Sequence, residues 1–491
     1  EKLSLSDRLL ESNTISYNRV EDLPGHGGGV YLYESDDVIL HDNLIAYNEV
    51  DGGWGGGAVL DYCDDISFEN NTLIHNDGGE GGGMYVRFSH SRDQLITGSL
   101  FAHNHGSWGG GLMVGQGSVT VRASQMIHNT AAKGGGLYSE ALVDLIDSEV
   151  LSNTATSDGG GVYVYYEPLN VDRGIVAHNQ ALGRGGGIFL NETSPVIINT
   201  FIVDNQAYGG GSGIFSWVSN SQLRHTTFAR NTGGDGAALR LEGSIPFDPP
   251  KVAQLTNTIL VDHAVGVTVF DNNQAHLEAT LWGTDTWANQ IDWGGPGTIL
   301  TGTINIWDNP GFVDPDAGDY HIGADSKAID AGVGAGVYTD FDGDPRPIGP
   351  APDIGADEWR PLTALKRATP NTADPGEVVT YSLILTNAAN SAIAVRITDT
   401  LPDEVGYLGP LGYDDGQGGH ASGVITWTGT VYTTAPTLIS WAVQLEPDVP
   451  YSSTVTNTAL ISSPYELFMT EPAYILVRPH RVYLPLTLKD G

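Results

Sequence analysis

The chain has 491 residues, too many for one ordinary globular core, and 65 of them are glycine. Its formal net charge of −37, from 59 acidic against 22 basic side chains, argues against nucleic acid and anionic membrane as partners, since both need a basic surface, and leaves divalent cations open. A hydrophobic content of 40% with 16% charged residues describes a folded, turn-rich chain, and a single cysteine, Cys63, excludes an intrachain disulfide framework.

From residue 1 to about 245 one phrase recurs. A glycine triplet followed by an aliphatic or aromatic pair, as in Gly27-Gly28-Gly29-Val30-Tyr31, begins again at Gly55, Gly81, Gly109, Gly134, Gly159, Gly185 and Gly209, with a broken copy at Gly233-Gly234-Asp235-Gly236. Before each copy stands an apolar residue, two others and an asparagine, which places Asn18, Asn48, Asn76, Asn104, Asn129, Asn153, Asn179, Asn205 and Asn231 in register. A period of roughly 25 residues means a solenoid, in which each coil buries its interior against its neighbours. Short alternating segments such as Val30-Tyr31-Leu32-Tyr33 and Val38-Ile39-Leu40 predict three strands per coil, and so a parallel β-helix rung. Stacked glycines permit tight turns, and the asparagines are expected to form an amide ladder at one corner of every rung. Cys63, inside a repeat, reads as a small buried residue.

Residues 246–360 lack triplets but continue with strand-like segments such as Leu255-Thr256-Asn257-Thr258-Ile259-Leu260, which predict irregular final coils and a capping segment that covers the last rung. Trp282, Trp287, Trp293 and Trp307 fall here, either as a sugar-stacking platform or as packing between the capping segment and the next domain. Asp340, Asp342 and Asp344 alternate around Gly343, the pattern of a candidate calcium loop or of a tight acidic turn. Residues 361–478 alternate apolar and polar in runs such as Val378-Val379-Thr380-Tyr381-Ser382-Leu383, which fits an immunoglobulin-like β-sandwich without its disulfide. The tail, 479–491, carries alternating Val482, Leu484, Leu486 and Leu488, a lone strand suited to completing a neighbour's sheet.

Three resemblances accompany these patterns. The glycine run with the apolar-x-x-Asn element resembles right-handed parallel β-helix repeats of bacterial surface proteins, of the pectin-lyase-like and polymorphic outer-membrane-protein type. Asp342-Gly343-Asp344-Pro345-Arg346 and Asp353-Ile354-Gly355-Ala356-Asp357-Glu358 resemble signatures at the C-terminal end of secreted bacterial β-helix proteins. Ala373-Asp374-Pro375-Gly376-Glu377 with Thr386-Asn387 and Thr398-Asp399-Thr400-Leu401-Pro402 resembles the Ig-like repeat domain of bacterial cell-surface proteins, and Tyr483-Leu484-Pro485-Leu486 is similar to a closing motif of exported proteins. All imply an extracellular setting, and none implies a reaction.

The expected fold is therefore all-β: a right-handed parallel β-helix followed by an immunoglobulin-like β-sandwich. No apolar run reaches membrane-spanning length, so no membrane insertion is expected, and because the repeat is already under way at the first residue a leader is expected to be missing. His75, His103, His128 and His178 each precede a ladder asparagine where other coils carry Tyr17, Tyr47, Ser152, Asp204 or Arg230, which marks an outward column rather than a metal cluster. No compact set of an arginine beside several aspartates on neighbouring rungs stands out. The expectation is a non-enzymatic surface protein or filament subunit, self-associating through solenoid ends and the tail strand. A carbohydrate-binding or polysaccharide-degrading protein and a monomeric adhesin are the alternatives.

Overall fold

The computed structural model describes residues 9–21, 25–87, 94–245 and 248–479. Over the described residues it is all-β apart from two single-turn 3-10 helices, and it falls into two compact units divided near residue 359.

The first unit is a parallel β-solenoid of about eleven turns. One rung shows how the sequence builds it. Ser118–Arg122 and Gln125–Ile127 run along the first sheet, Thr130–Ala131 forms the second, and Leu137–Ser139 follows the glycine triplet into the third. Each pairs in parallel with the next rung: Met126 opposite Val150, Ala131 opposite Ala155, Leu137 opposite Val162. Where three strands per rung are expected there are four segments, because the first sheet is split by a second corner. From Val196–Val203 to Asn273–Leu281 the two halves merge into one strand that keeps only a local left-handed residue, such as Asn199 at φ 46°, before the last rung splits again into Thr298–Leu300 and Asn305–Ile306. The third sheet is eleven-stranded, running from Val30–Tyr33 to Ile291–Gly294.

Alternate residues point inward, and Val119, Val121, Met126 and Leu137 with their equivalents on other rungs form one continuous buried core. Cys63 lies in it, and burial pushes its thiol up. Trp282 is fully buried at the end of this core, with Trp293 packed against it. Two of the four tryptophans thus belong to the solenoid interior. Trp287 meets Phe312 edge to face, and Trp307 is half exposed, its indole N–H donating to Asp292 at 2.8 Å.

The triplets divide their labour. Gly134 holds φ 62°, a left-handed turn that glycine adopts without penalty. Gly135 and Gly136 are glycine for a different reason: a Cβ on Gly135 would lie 2.3 Å from the Gly160 carbonyl oxygen of the next rung, and one on Gly136 would lie 3.0 Å from the Asn153 amide.

The second unit is built mainly of antiparallel sheets around a core of its own, with one parallel pair, Thr372–Ala373 beside Ala473–Val477. Leu362–Thr369, Val378–Asn387, Thr437–Leu445 and Val405–Tyr407 form one sheet; Gln417–Ala421, Val424–Val431, Ile393–Thr400, Leu460–Ser462 and Leu467–Met469 form another. Tyr381 and Trp441 from the first and Ile397 and Trp427 from the second share one buried cluster, the arrangement of a sandwich. Val482, Leu484, Leu486 and Leu488 lie outside the described residues.

Candidate functional site

The asparagine corner is the most regular feature of the surface-to-core boundary. From Asn18 to Asn231 each side-chain Nδ2 donates to Oδ1 of the next asparagine at 2.9 to 3.0 Å. The same Oδ1 also accepts the backbone N–H of the preceding rung, as Asn153 does from Asn129 at 2.9 Å. Nδ2 of Asn129 reaches back to the Phe101 carbonyl at 2.9 Å, so one amide ties three rungs. The corner continues beyond the ninth asparagine through His263 and Asn289, which the apolar-x-x-Asn pattern misses.

A second ladder runs beside the first, outside the asparagine pattern of the repeat. Asn13, Asn43, Asn71, Ser99, Ser124 and Ser148 are linked from rung to rung, the backbone N–H of each donating to the side chain of the next at 2.9 to 3.2 Å, and this corner splits the first sheet. Its signal was present: each member from Asn13 to Ser148 stands five places before a ladder asparagine.

The residue before each ladder asparagine takes left-handed φ, from 53° at Arg230 to 57° at Tyr17 and His178. Rings there stack face to face up the outer corner: Tyr17 on Tyr47 at 5.0 Å, Tyr47 on His75 at 4.9 Å, His75 on His103 at 5.0 Å and His103 on His128 at 5.1 Å. Burial by its neighbours, then repulsion from His75 and His128, lowers the basicity of His103. Parallel imidazoles at this spacing cannot converge on one metal ion with bonds of about 2.1 Å. The outer face of the third sheet repeats the device with Tyr138, Tyr163, Phe189 and Phe215, centroids 4.8 to 5.2 Å apart, roofed by Lys133 and Arg184.

Arginines do stand beside aspartates of neighbouring rungs, contrary to the expectation from sequence. Arg173 contacts Asp147 at 2.5 Å and Asp172 at 2.8 Å, Arg184 contacts Asp158 at 3.0 Å, and Arg230 contacts Asp204 at 2.9 Å and Asp316 at 2.7 Å. Each rung-to-rung partner is separated by one 26-residue period, which was legible once the period was known. The pairs hold the guanidinium charge: the Asp147 hydrogen bond raises Arg173, and at Arg230 burial is outweighed by Asp204, Tyr320 and Asp316.

The segment carrying the two C-terminal signatures docks on the flank of the solenoid rather than over its last rung. Asn257 exchanges hydrogen bonds with Val333 at 2.7 and 2.8 Å, Asn199 donates to the Thr339 carbonyl at 2.9 Å, and Tyr320 donates to Asp204 at 2.6 Å. Arg346 and Glu358 form a fully buried ion pair at 2.9 Å, and Arg346 also donates to the carbonyls of Asp353 and Ala356 at 3.0 Å. The signatures recognise each other.

Asp340 and Asp342, of the candidate calcium set with Asp344, turn to different partners. Asp340 is buried and accepts the N–H of Asp344 at 2.7 Å and of Glu358 at 3.0 Å; burial pushes its carboxyl up to about 6. Asp342 turns instead to His321, at 3.1 Å. His321, Asp342 and Asp357 are the one set among the described residues whose donor atoms could surround a metal ion. They already balance charge: the Asp342 contact, against burial and with help from Asp357 and Asp319, raises His321 to about 10. Asp319 accepts from Nδ1 at 2.6 Å. Asp357, driven up to about 7 by burial, accepts the Ile322 N–H at 2.7 Å.

Residues 4–130 match the family model described as a right handed beta helix region. The solenoid is similar to that family over this stretch. Among solved structures, the major pilin subunit BcpA of Bacillus cereus is 15% identical over 27% of this chain and 44% of that chain, with a TM-score of 0.21. The N-terminal domain of a Streptococcus gordonii adhesin is 11% identical over 23% and 32%, with a TM-score of 0.21, and a FixG-related protein from Vibrio parahaemolyticus is 12% identical over 24% and 98%, with a TM-score of 0.16. The chain thus spans less than half of the pilin subunit and of the adhesin domain, and these partial likenesses carry no inference about activity. No curated protein matches.

Proposed function

We propose that this is a non-enzymatic extracellular structural protein, a surface component or filament subunit whose copies join head to tail, with the tail strand completing a neighbour's sheet. The observation that carries the reading is the ladder from Asn18 to Asn231, in which every rung repeats the same buried amide contacts. Side chains that in a lyase would hold calcium or take a proton are here spent on each other, as in the Arg173–Asp147 and Arg230–Asp204 pairs. A charge of −37 keeps such a molecule soluble outside the cell and open to cations. High-speed sedimentation of the protein and of a variant lacking residues 481–491 tests it: the full chain pellets and the truncated one stays in solution. Equal sedimentation would sink the tail-strand contact.

A carbohydrate-binding surface is the second reading, favoured by Tyr17 and Tyr47, exposed at the outer corner. Their rings face one another at an interplanar angle of 2°, which presents edges rather than faces to a sugar. Incubation with acidic polysaccharides, followed by ultraviolet absorbance for unsaturated products and by retention on the immobilised polymers, separates the classes.

A further inference from the structure

The core of the second unit contains charge where a sandwich has no need of it. Lys366, on Leu362–Thr369, and Asp399, on Ile393–Thr400, form an ion pair with both side chains fully buried. The Lys366 ammonium also faces the rings of Tyr381 at 5.1 Å and Trp441 at 5.4 Å. Asn457, at the end of Thr454–Asn457, is buried with its carboxamide beside the same Asp399 carboxyl, and neither its Nδ2 nor its Oδ1 makes a well-formed hydrogen bond. Oδ1 of Asp399, the Tyr381 hydroxyl and the Trp441 indole N–H are likewise buried without partners. The Asp399 carboxyl thus has the Lys366 amine and the Asn457 carboxamide as neighbours, among aromatic rings. As a stabilising device this is poor, since a buried ion pair rarely outweighs its own desolvation and an unpaired buried amide is costly. As a reactive constellation it is complete.

We propose that Lys366 and Asn457 become joined by an intramolecular amide bond, with Asp399 as the proton carrier. The uncharged Nζ of Lys366 attacks Cγ of Asn457 while the Asp399 carboxyl, donating to Oδ1, stabilises the oxyanion that forms there. The Nζ–Cγ bond forms and the Cγ–Nδ2 bond breaks. The proton lost by Nζ passes through Asp399 to Nδ2, which leaves as ammonia. Nothing is oxidised or reduced and no co-reactant enters. The pocket supplies the protonation states this requires: burial lowers Lys366 to about 8, so a neutral amine is accessible, and burial raises Asp399, so the acid is too. The bond would tie the first strand of the unit to Thr454–Asn457, near its other end, so that tension along the chain could not peel the sheets apart. In a chain whose one cysteine is buried in the solenoid, no disulfide can serve that purpose.

Intact-mass spectrometry of the denatured full chain, with peptide mapping, tests this directly. The expected result is a mass below that of the sequence by one ammonia, and a branched peptide joining the segment with Lys366 to the segment with Asn457. Lys366→Met and Asp399→Ala should keep the full mass. Asn457→Asp should lose one water instead, so that its mature mass coincides with that of the wild type. The wild-type map decides the matter even if a variant fails to fold. An unmodified wild-type mass overturns the proposal, as does a loss of water with Lys366 mapped to Asp399.

Discussion

Asn231 donates its side-chain amide to Nε2 of His263 at 3.1 Å, and His263 Nδ1 faces Asn289 Oδ1 at 3.2 Å. The imidazole therefore continues the amide ladder as an acceptor on one side and a donor on the other, which only the neutral ring can do. Burial holds His263 down to about 3, against an ordinary value of 6.5. The unfolded chain takes up this proton first, so the stability His263 contributes is complete above about pH 6.5 and is lost as the pH falls toward 3. His263→Asn keeps the ladder without the titration. Thermal unfolding followed from neutral to acidic pH should show a shallower acid loss for the variant. The slope is reduced rather than abolished, because His225, buried and also lowered to about 3, acts in the same sense.

Replacing a central ladder residue removes more than one bond. Asn129→Leu deprives the Asn104 N–H and Nδ2 of their acceptor and the Phe101 carbonyl of its donor, all in buried positions. The expected loss is at least about 3 kcal/mol, since each orphaned buried group costs about 1–3 kcal/mol. Chemical denaturation of the variant should show a clearly lower midpoint, and an unchanged midpoint would mean that the ladder does not hold the rungs.

The second glycine of a triplet should tolerate no side chain. Gly135→Ala places a methyl 2.3 Å from the Gly160 oxygen and 2.7 Å from the Thr154 nitrogen, so the rungs must part, at about 3 kcal/mol. Gly294→Ala, where an added Cβ meets nothing within 4 Å, is the control and should change stability by less than about 0.5 kcal/mol. The two melting temperatures compared side by side check whether stacking, rather than turn flexibility, fixes this glycine.

The period, the asparagine corner and the break between units could be read from the sequence because they repeat or change the alternation of apolar residues. Features made by residues far apart could not. Arg346 and Glu358 stand in separate signatures, and only the folded segment shows that one buried charge answers the other. Asp340, Asp342 and Asp344 have calcium-like spacing, yet Asp340 is consumed by backbone N–H groups and Asp342 by His321, partners that no local spacing reveals. The serine ladder was hidden for a simpler reason. Ser99, Ser124 and Ser148 do the work of Asn43 and Asn71 through a hydroxyl, so a search for one residue type passes over them.

Removing one partner of the buried pair tests whether the signatures lock the flanking segment. Burial alone lowers the basicity of Arg346, and Glu358 is the largest influence that keeps it charged. Glu358→Gln should cost about 3–5 kcal/mol, the penalty for a buried charge left without its countercharge. Limited proteolysis would then cut within residues 309–358 before it cuts the regular rungs.

We propose that the chain is built to assemble outside the cell rather than to turn over a substrate. Electron microscopy of native material recovered from the cell surface and culture medium tests it most directly. Continuous fibres that contain this chain as their repeating subunit are the predicted result. Isolated, unassembled particles in both fractions would contradict it.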